Sequence, residues 1–303
     1  MSGKKSIIKI LILGANGQLG SAIANKLIDT EADVTSLTKH DCDITDINKV
    51  KDIITNNFFD CIINASAYTK VDDAECNPEL ANLVNEFAVA NICELLKDTK
   101  TLFVHFSTDY VFDGVSSAGY TENHTPNPIN IYGLSKLNGE KAIIQSDINY
   151  LIFRTSWVYS SYGSNFPKTI LEKYKHHKAL KVVDDQHGVP NHVEFISDSV
   201  LICIYKFLEM SDKQKQEVSG IYHVSSTGQT SWYHFSKYLL EKYREKFNDE
   251  RDYQLEAIKT HELQLKAKRP YKSVLNCDKI VKQFDIVLPP WQHYIDKFFD
   301  SSV

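Results

Sequence analysis

A glycine-rich turn near the start of the chain most constrains what the sequence can fold into. Gly14, Gly17 and Gly20 follow an apolar run at residues 8–13 and precede a stretch whose apolar spacing predicts a helix over residues 20–29. Glycine here lets the backbone turn sharply and lets a pyrophosphate approach backbone N–H groups at a helix N-terminus. The order of strand, turn and helix predicts a dinucleotide-binding site, with a ligand-free tight turn as the alternative. The residues expected to contact the dinucleotide here are Gly14, Asn16, Gly17, Gln18, Leu19 and Gly20.

Short apolar runs alternate with helical patterns through the first half of the chain. The runs predict strands, and the intervening patterns predict helices that begin near residues 20, 47, 77 and 132. This alternation is typical of an α/β fold: a Rossmann-type, doubly wound parallel sheet. After residue 155 the alternation loosens, which predicts a smaller C-terminal α/β substrate domain. We therefore expect a cofactor-binding domain over residues 1–155 and a mainly substrate-binding domain over 156–303, with segments of about 178–215 returning to the first. The predicted strands of the first half cover residues 8–13, 34–37, 61–64, 101–106 and 151–154.

Composition and charge exclude several classes of protein. A hydrophobic fraction of 43% is enough for a buried core, and a net charge of −5 argues against a nucleic-acid-binding surface. The six cysteines form no Cys-x-x-Cys pair, which is typical of reduced thiols and predicts a cytoplasmic protein. Basic residues followed by an apolar run at 1–13 resemble a signal peptide, but Lys9 interrupts the run and a glycine turn follows it, so a buried strand is predicted. No apolar run reaches the ~18 residues of a membrane span, so no membrane contact is expected.

The end of the second predicted strand bears on which dinucleotide binds. Sites for NAD usually place an acidic residue there to bind the adenine ribose. This strand ends in Thr38, Lys39 and His40, with no acid. Because Thr38 and Lys39 could bind a 2′-phosphate that a carboxylate would repel, we predict NADPH as cofactor, with NADH as the alternative.

A Tyr-x-x-x-Lys pattern at Tyr132 and Lys136 is the main catalytic signal. The chain has 16 tyrosines, and three further pairs of this spacing begin at Tyr174, Tyr233 and Tyr238, so the pattern alone has little weight. Only the pair at 132 follows a hydroxyl-rich segment, residues 106–114, at the end of a predicted parallel strand. Ligands of open parallel sheets bind at that edge, which singles out this pair.

The spacing of the pair suggests a proton donor. Residues four apart share a helix face, so Lys136 can lie beneath Tyr132. A lysine charge about 5 Å away would lower the pKa of a phenol by roughly two units. Tyr132 could then protonate an alkoxide formed by hydride addition to a ketone. Thr108, with Ser107 as the weaker alternative, would donate a hydrogen bond to the carbonyl oxygen.

Together these motifs resemble the dTDP-4-dehydrorhamnose reductase family of extended short-chain dehydrogenases/reductases. The resemblance covers nearly the whole chain. It implies Thr108, Tyr132 and Lys136 as catalytic residues, with Tyr132 and Lys136 also contacting the cofactor. It places Thr108, Asp109 and Trp157 against a sugar nucleotide, and Arg269 is a candidate for a substrate phosphate, with a surface role as the alternative. The other implied cofactor contacts are Asp43, Ile44, Ala65, Ala67, Tyr68 and Thr69. The matching segments are residues 14–20, 64–72, 107–114, 132–136, 153–159, 185–190, 220–223, 269–270 and 284–291.

The resemblance also implies a reaction and a partner. Such an enzyme reduces the C4 ketone of dTDP-4-dehydro-6-deoxy-L-mannose to give dTDP-L-rhamnose, a precursor for polysaccharides. A homodimer is left open. Some members hold Mg²⁺ through three glutamates at a dimer contact. Only Glu194 matches here, and Ala22 and Gln292 stand at the other positions, so we predict no metal.

Related activities remain as alternatives. A 4,6-dehydratase carries a second acid after its aspartate, whereas Tyr110 follows Asp109 here. A bifunctional epimerase/reductase carries cysteine where Asp109 stands. A UDP-sugar 4-ketoreductase stays open, because the base of the substrate is not readable from the sequence. A non-catalytic NADP-binding subunit resembling the methionine adenosyltransferase β subunit is the alternative from another class, and the intact Thr108, Tyr132 and Lys136 argue against it.

Overall fold

The structure, a computed structural model, describes residues 7–300. The basic residues at 1–5 that resemble the start of a signal peptide lie outside the described residues. The strands are β1 Lys9–Leu13, β2 Asp33–Leu37, β3 Cys61–Asn64, β4 Leu102–Thr108, β5 Tyr150–Thr155, β6 Val158–Tyr159, β7 Ala179–Val183, β8 His187–Gly188, β9 Asn191–His192, β10 Gly220–His223, β11 Thr230–Ser231 and β12 Gln254–Ile258. The helices are α1 Gln18–Leu27, α2 Ile47–Thr55, α3 Val71–Ala74, α4 Pro78–Asn82, α5 Ala88–Leu96, α6 Ile131–Ile144, α7 Phe166–His176, α8 Val193–Leu208, α9 Asp212–Val218, α10 Trp232–Phe247, α11 Asp278–Phe284 and α12 Ile295–Asp300.

A parallel sheet forms the centre of the molecule. Within residues 7–300 it contains six strands in the order β10-β5-β4-β3-β1-β2. The apolar run that predicts the first strand forms β1, in which the last four residues are buried. The order of the strands reverses at β1, which lies between β2 and β3. This strand order confirms the predicted doubly wound parallel sheet. In such sheets, ligands bind at the carboxyl ends of the strands, where the strand order reverses.

Apolar layers cover both faces of the sheet. One layer joins side chains of α1, α8 and α11 to the sheet, and the other joins those of α2 and α5. Burying both faces explains why the central strands are almost continuously apolar. Helix α2 begins as its sequence predicts, because the Asp46 carboxylate accepts a hydrogen bond of 3.2 Å from the backbone N–H of Lys49.

The helix predicted over residues 77–97 contains an irregularity that its sequence does not signal. A π-helical turn, Leu83–Phe87, separates α4 from α5. Asn85 lies in this turn and is buried, where its side chain bonds both backbone groups of Tyr68 and the hydroxyl of Ser135. Such turns occur often at functional sites, and this one fixes the loop after β3 against α6.

The C-terminal half forms an apolar cluster of its own and also returns to the central sheet. Strand pairs β7–β12, β8–β11 and β6–β9 lie outside the central sheet, and α7, α10 and α12 pack in this separate cluster. Helix α8, by contrast, packs on α1, and β10 pairs with β5 at the sheet edge. The predicted division at residue 155 stays a prediction. No helix in the described part of the chain has the length and apolar character to cross a membrane.

Candidate active site

The glycine turn adopts a conformation that its sequence requires. Gly14 has φ +80°, a conformation that residues with a Cβ rarely adopt. A Cβ on Gly20 would lie 2.2 Å from the carbonyl oxygen of Gly14, so α1 could not pack against the turn. Gly17 is the N-cap of α1 and, having no side chain, cannot satisfy the first N–H groups of the helix itself. The turn therefore presents backbone donors at a helix N-terminus, as an anion-binding turn must.

A cleft of about 540 Å³ opens at the carboxyl edge of the sheet, beside this turn. Twelve of the residues expected in the site line it, and so does Ser107, the weaker alternative to Thr108. The twelve are Asn16, Gly17, Gln18, Leu19, Ala65, Ala67, Thr69, Thr108, Asp109, Tyr132, Lys136 and Trp157. The structure thus brings together segments that are far apart in the chain, from the glycine turn to the strand after β5.

The remaining residues singled out from the sequence do not line the cleft. Gly14 lies in the turn and Gly20 in the first turn of α1, and the side chains just after β2 bond to one another. The hydroxyl of Thr38 donates to Asp41 at 2.7 Å, and the exposed ammonium of Lys39 lies 3.4 Å from the Asp43 carboxylate. The eight residues outside the cleft lining are Gly14, Gly20, Thr38, Lys39, Asp43, Ile44, Tyr68 and Arg269.

Arg269 and Tyr68 are both bound to acidic side chains. An Arg269 nitrogen lies 2.6 Å from the Asp72 carboxylate, and the same carboxylate accepts backbone hydrogen bonds from Lys266 and Ala267. The Tyr68 hydroxyl donates to Asp73. Arg269 is therefore engaged in holding the segment at 266–269 against α3.

Helix α6 positions Tyr132 and Lys136. Its N-cap is Asn130, whose side chain accepts a hydrogen bond of 2.7 Å from the backbone N–H of Gly133. A Cβ on Gly133 would lie 2.1 Å from the carbonyl oxygen of Tyr110, so glycine allows α6 to pack directly on the turn after β4. That close approach places Tyr132 beside Thr108, the last residue of β4, and both line the cleft.

The expected lowering of the Tyr132 pKa is wrong for this structure. Burial raises the pKa of Tyr132 to about 12, although a hydrogen bond with Thr108 acts in the opposite direction. The reason is that burial disfavours the charged phenolate more than a lysine one helical turn away stabilises it, and Nζ of Lys136 contacts His105. Tyr132 is consequently protonated at neutral pH, the state that a proton donor requires.

Lys136 is bound by a residue that the sequence interpretation missed. Its Nζ lies 3.0 Å from Nε2 of His105, a buried side chain on β4. The other ring nitrogen of His105 lies 3.3 Å from the side-chain amide of Asn64 on β3. Burial lowers the pKa of Lys136 to about 8, while Glu140 raises it. His105 has no unusual spacing to any motif, so only the pairing of β3 with β4 reveals its position.

A buried ion pair lies beneath Lys136. The Glu140 carboxylate, one turn further along α6, accepts two hydrogen bonds from the Arg154 guanidinium, at 2.6 and 2.8 Å. It also accepts a hydrogen bond from Ser107, next to Thr108. Both charged side chains are at most 2% exposed. The pair connects α6, β4 and β5 directly behind the cleft.

Asp109, which accepts a hydrogen bond of 3.1 Å from the Thr108 hydroxyl, and Trp157 also line the cleft. Burial raises the pKa of Asp109 to about 7. Trp157 has φ +46°, and its ring stacks on that of Trp232 with centroids 3.4 Å apart. A Cβ on Gly188 would lie 2.6 Å from the Trp157 ring, so glycine allows this close packing. Trp232, another wall residue that the sequence interpretation missed, follows the N-cap residue of α10, a position the motifs do not mark.

The position where related enzymes are expected to hold a metal shows an ion pair. Glu194 lies 3.0 Å from the ammonium of Lys297. Within residues 7–300, no three His, Cys, Asp or Glu side chains are grouped in a way that could hold a metal ion. The prediction that this chain uses no metal stays a prediction.

Comparison with known proteins identifies the family. The family model described as "RmlD substrate binding domain" matches residues 8–303. The dTDP-4-dehydrorhamnose reductase of Salmonella typhimurium is 35% identical over 289 residues, which cover 94% of this chain and 95% of the relative. That of Burkholderia thailandensis is also 35% identical, over 290 residues, which cover 95% of this chain and 97% of the relative.

Solved structures agree with this assignment. The dTDP-4-dehydrorhamnose reductase of Bacillus anthracis was solved in complex with NADP and superposes on this chain with a TM-score of 0.87 at 33% identity. The superposition covers 97% of this chain and 99% of the Bacillus anthracis chain. A UDP-Glc/GlcNAc 4-epimerase of Campylobacter jejuni, at 18% identity and a TM-score of 0.75, covers 97% of this chain and 98% of its own and shares only the fold. The chain therefore belongs to the family that the RmlD substrate binding domain defines, alongside the dTDP-4-dehydrorhamnose reductases.

Proposed function

We propose that this protein is an NADPH-dependent reductase of the C4 ketone of dTDP-4-dehydro-6-deoxy-L-mannose, which it converts to dTDP-L-rhamnose for polysaccharide precursors. The observation that carries the proposal is the convergence of the glycine turn, Thr108, Tyr132 and Lys136 on one cleft. Membership of the dTDP-4-dehydrorhamnose reductase family supports the choice of substrate, and the relative solved with NADP supports the choice of cofactor.

The residues of the turn fit a dinucleotide. The helix N-terminus at Gly17, with no side chain over it, suits a pyrophosphate, and Gln18 and Leu19 lie beside it in the cleft. Ala65, Ala67 and Thr69 would flank the middle of the cofactor, Tyr68 would support that loop, and Thr38, Lys39, Asp43 and Ile44 would hold the adenosine end. Bound NADPH supplies a hydride to the C4 carbon of the substrate.

The chain's own residues would polarise the ketone and supply the proton. The hydroxyl of Thr108 would donate to the ketone oxygen, where negative charge develops during reduction. Tyr132 holds the proton that this oxygen takes, and its burial keeps that proton in place until the charge appears. Lys136 would bind the nicotinamide ribose and support Tyr132.

Asp109 and Trp157 would orient the sugar against these groups. Burial raises the pKa of Asp109 to about 7, so its protonated carboxyl group, which can donate a hydrogen bond to a sugar hydroxyl, is accessible near neutral pH. Trp157 offers a rigid aromatic wall. Arg269 would meet a substrate phosphate after exchanging part of its contact with Asp72. These assignments are proposals for mutagenesis.

The cysteines and the net charge bear on where the protein works and what it binds. All six cysteines lie in the described part of the chain and are free thiols, which supports a cytoplasmic location. The negative net charge supports a small-molecule substrate in place of a nucleic acid.

The proposal is tested by turnover of the purified full chain. With dTDP-4-dehydro-6-deoxy-L-mannose and NADPH, we expect loss of reduced nicotinamide absorbance and the appearance of dTDP-L-rhamnose by chromatography. Faster turnover of the UDP-linked ketone would assign the chain as a UDP-sugar 4-ketoreductase. Tight NADPH binding without turnover of either ketone would favour a non-catalytic subunit.

Replacing Lys39 tests the choice of cofactor. Lys39→Ala should lower kcat/KM for NADPH by about tenfold and leave kcat/KM for NADH unchanged, because only NADPH carries the 2′-phosphate. Lys51→Ala, which removes another exposed lysine on the nearby α2, is the matched control and should change neither value. An equal loss with both cofactors would contradict the assignment of Lys39.

A further inference from the structure

The hydrogen bonds around His105 have a direction. The side-chain oxygen of Asn64 accepts a hydrogen bond of 3.0 Å from the backbone N–H of Ser66. This contact fixes the amide of Asn64, because a flipped amide would place its NH₂ group against that N–H. The NH₂ group of Asn64 therefore faces Nδ1 of His105, at 3.3 Å.

The orientation of Asn64 determines the tautomer of His105. Burial holds the pKa of His105 well below its ordinary value, so the ring is neutral and carries one N–H. Nδ1 accepts from Asn64, so the proton lies on Nε2. That nitrogen is 3.0 Å from Nζ of Lys136. An ammonium group cannot accept a hydrogen bond, whereas a neutral amine can.

From this geometry we propose that His105 is a positioning residue for the reaction, which holds Nζ of Lys136 and, by presenting an N–H to it, favours its neutral amine in the ligand-free enzyme. Three hydrogen bonds thus run in sequence from the backbone N–H of Ser66 to Asn64, from Asn64 to His105, and from His105 to Lys136. Ser66 lies in the loop that packs on Gly14 of the cofactor turn. The three bonds therefore connect the protonation of Lys136 to the loop that would flank the cofactor. The inference rests on the proposed function only for its effect on catalysis.

Other charged groups near Lys136 act in the opposite direction or do not reach it. Glu140, on the next turn of α6, favours the ammonium, but its charge is shared with Arg154 from β5. Asp109, from the turn after β4, lines the same cleft, and so does Tyr132, from the preceding turn of α6. From the π-helical turn, Glu86 accepts a hydrogen bond from Asn138. None of these four side chains donates a hydrogen bond to Nζ of Lys136 among the contacts described. His105 does so through its Nε2–H, and this contact favours the neutral amine.

The pKa of Lys136 is measured directly in the ligand-free protein. Lysine labelled with ¹³C at Cε gives a titration curve by NMR, and the Lys136 signal is identified by its loss in Lys136→Arg. In His105→Gln the amide can turn its oxygen to the lysine and accept from an ammonium, so the Lys136 pKa should rise by about one unit. Asn64→Asp should also raise it, because a carboxylate accepts from Nδ1–H and leaves Nε2 as an acceptor.

A second buried histidine supplies the matched control. His223→Gln makes the same substitution at a buried ring whose Nδ1 lies 3.1 Å from backbone carbonyl oxygens of Tyr120 and Asn276, away from the cleft. It should leave the Lys136 pKa unchanged, even where it lowers thermal stability. A Lys136 pKa that stays constant or falls in folded His105→Gln or Asn64→Asp would overturn the proposal.

The same variants separate this proposal from the proposed function. If the wild type turns over the ketone, the alkaline limb of its kcat/KM profile should move upward in His105→Gln with the NMR pKa. If the wild type proves inactive, the proposed function fails, and the NMR titration still decides the role of His105.

Discussion

Tyr132→Phe should lower kcat by about 10²–10⁴-fold, the usual contribution of a positioned proton donor. Phenylalanine keeps the ring that packs edge-to-face on Tyr110, at a centroid distance of 5.9 Å. The variant should therefore fold, and its affinity for NADPH should fall only by the single contact that the Tyr132 hydroxyl is expected to make with the cofactor. Removal of the hydroxyl leaves the ketone oxygen without its proton source, so the loss should fall mainly on kcat and only slightly on the cofactor Kd. Steady-state kinetics together with NADPH fluorescence titration measures both.

The chain offers a matched control for Tyr132. Tyr238 has the same four-residue spacing to a lysine, on α10, but it packs against Trp291 and does not line the cleft. Tyr238→Phe should keep kcat within about twofold, since it removes only a hydroxyl far from the chemistry. Equal losses in the two variants would mean that the Tyr-x-x-x-Lys pair at 132 is not the catalytic one.

Arg154→Met should destabilise the protein by about 3–5 kcal/mol, because it leaves the Glu140 carboxylate buried without a counter-charge. Arg154 is fully buried and gives Glu140 two hydrogen bonds, so no water can replace it without opening the site. The midpoint of urea unfolding measures this change. The loss is expected even with NADPH present, because the pair lies behind the cleft.

A second substitution separates loss of charge balance from loss of packing. The double variant Arg154→Met, Glu140→Leu should recover most of the lost stability, because neither charge is then buried alone. Lys100→Met is the control, since Lys100 and Asp212 form an ion pair in which both side chains are mostly exposed. Its cost should stay below about 1 kcal/mol. A double variant as unstable as Arg154→Met would show that packing, and not charge, accounts for the effect.

The sequence predicts the parts of this molecule whose cause is local. The glycine turn, the first strands and the cap at Asp46 depend on conformational limits and periodicity within a few residues. The position of Tyr132 also follows, since the hydroxyl-rich segment before it marks a sheet edge. Strand β10 does not follow, because four residues, Gly220–His223, carry no periodicity long enough to distinguish a strand.

The parts of the site that escape prediction depend on contacts between distant segments. His105 is one of seven residues in a fully buried strand, and its neighbours in the sequence do not mark it. Only its contacts with Asn64 and Lys136 in the folded chain give it a role. The pKa of Tyr132 likewise depends on how completely the cleft buries its hydroxyl. Trp232 reaches the cleft because α10 packs against the strand after β5. Sequence spacing along one helix contains none of this information.

The path of the chain limits how the cofactor-binding half can be used as a separate building block. After β5 the chain leaves the central sheet, returns as α8 and β10, leaves again, and returns once more as α11. A fragment that ends at residue 155 would lack the edge strand β10 and would keep only α1 of the three helices on one face of the sheet, because α8 and α11 come later in the chain. Gln18 on α1 also accepts hydrogen bonds from Ser160 and Asn165, so the cofactor turn itself is fastened to the later part of the chain. The cofactor-binding half therefore does not form an independent unit. Transplanting the cofactor site to another protein would require segments from most of the sequence.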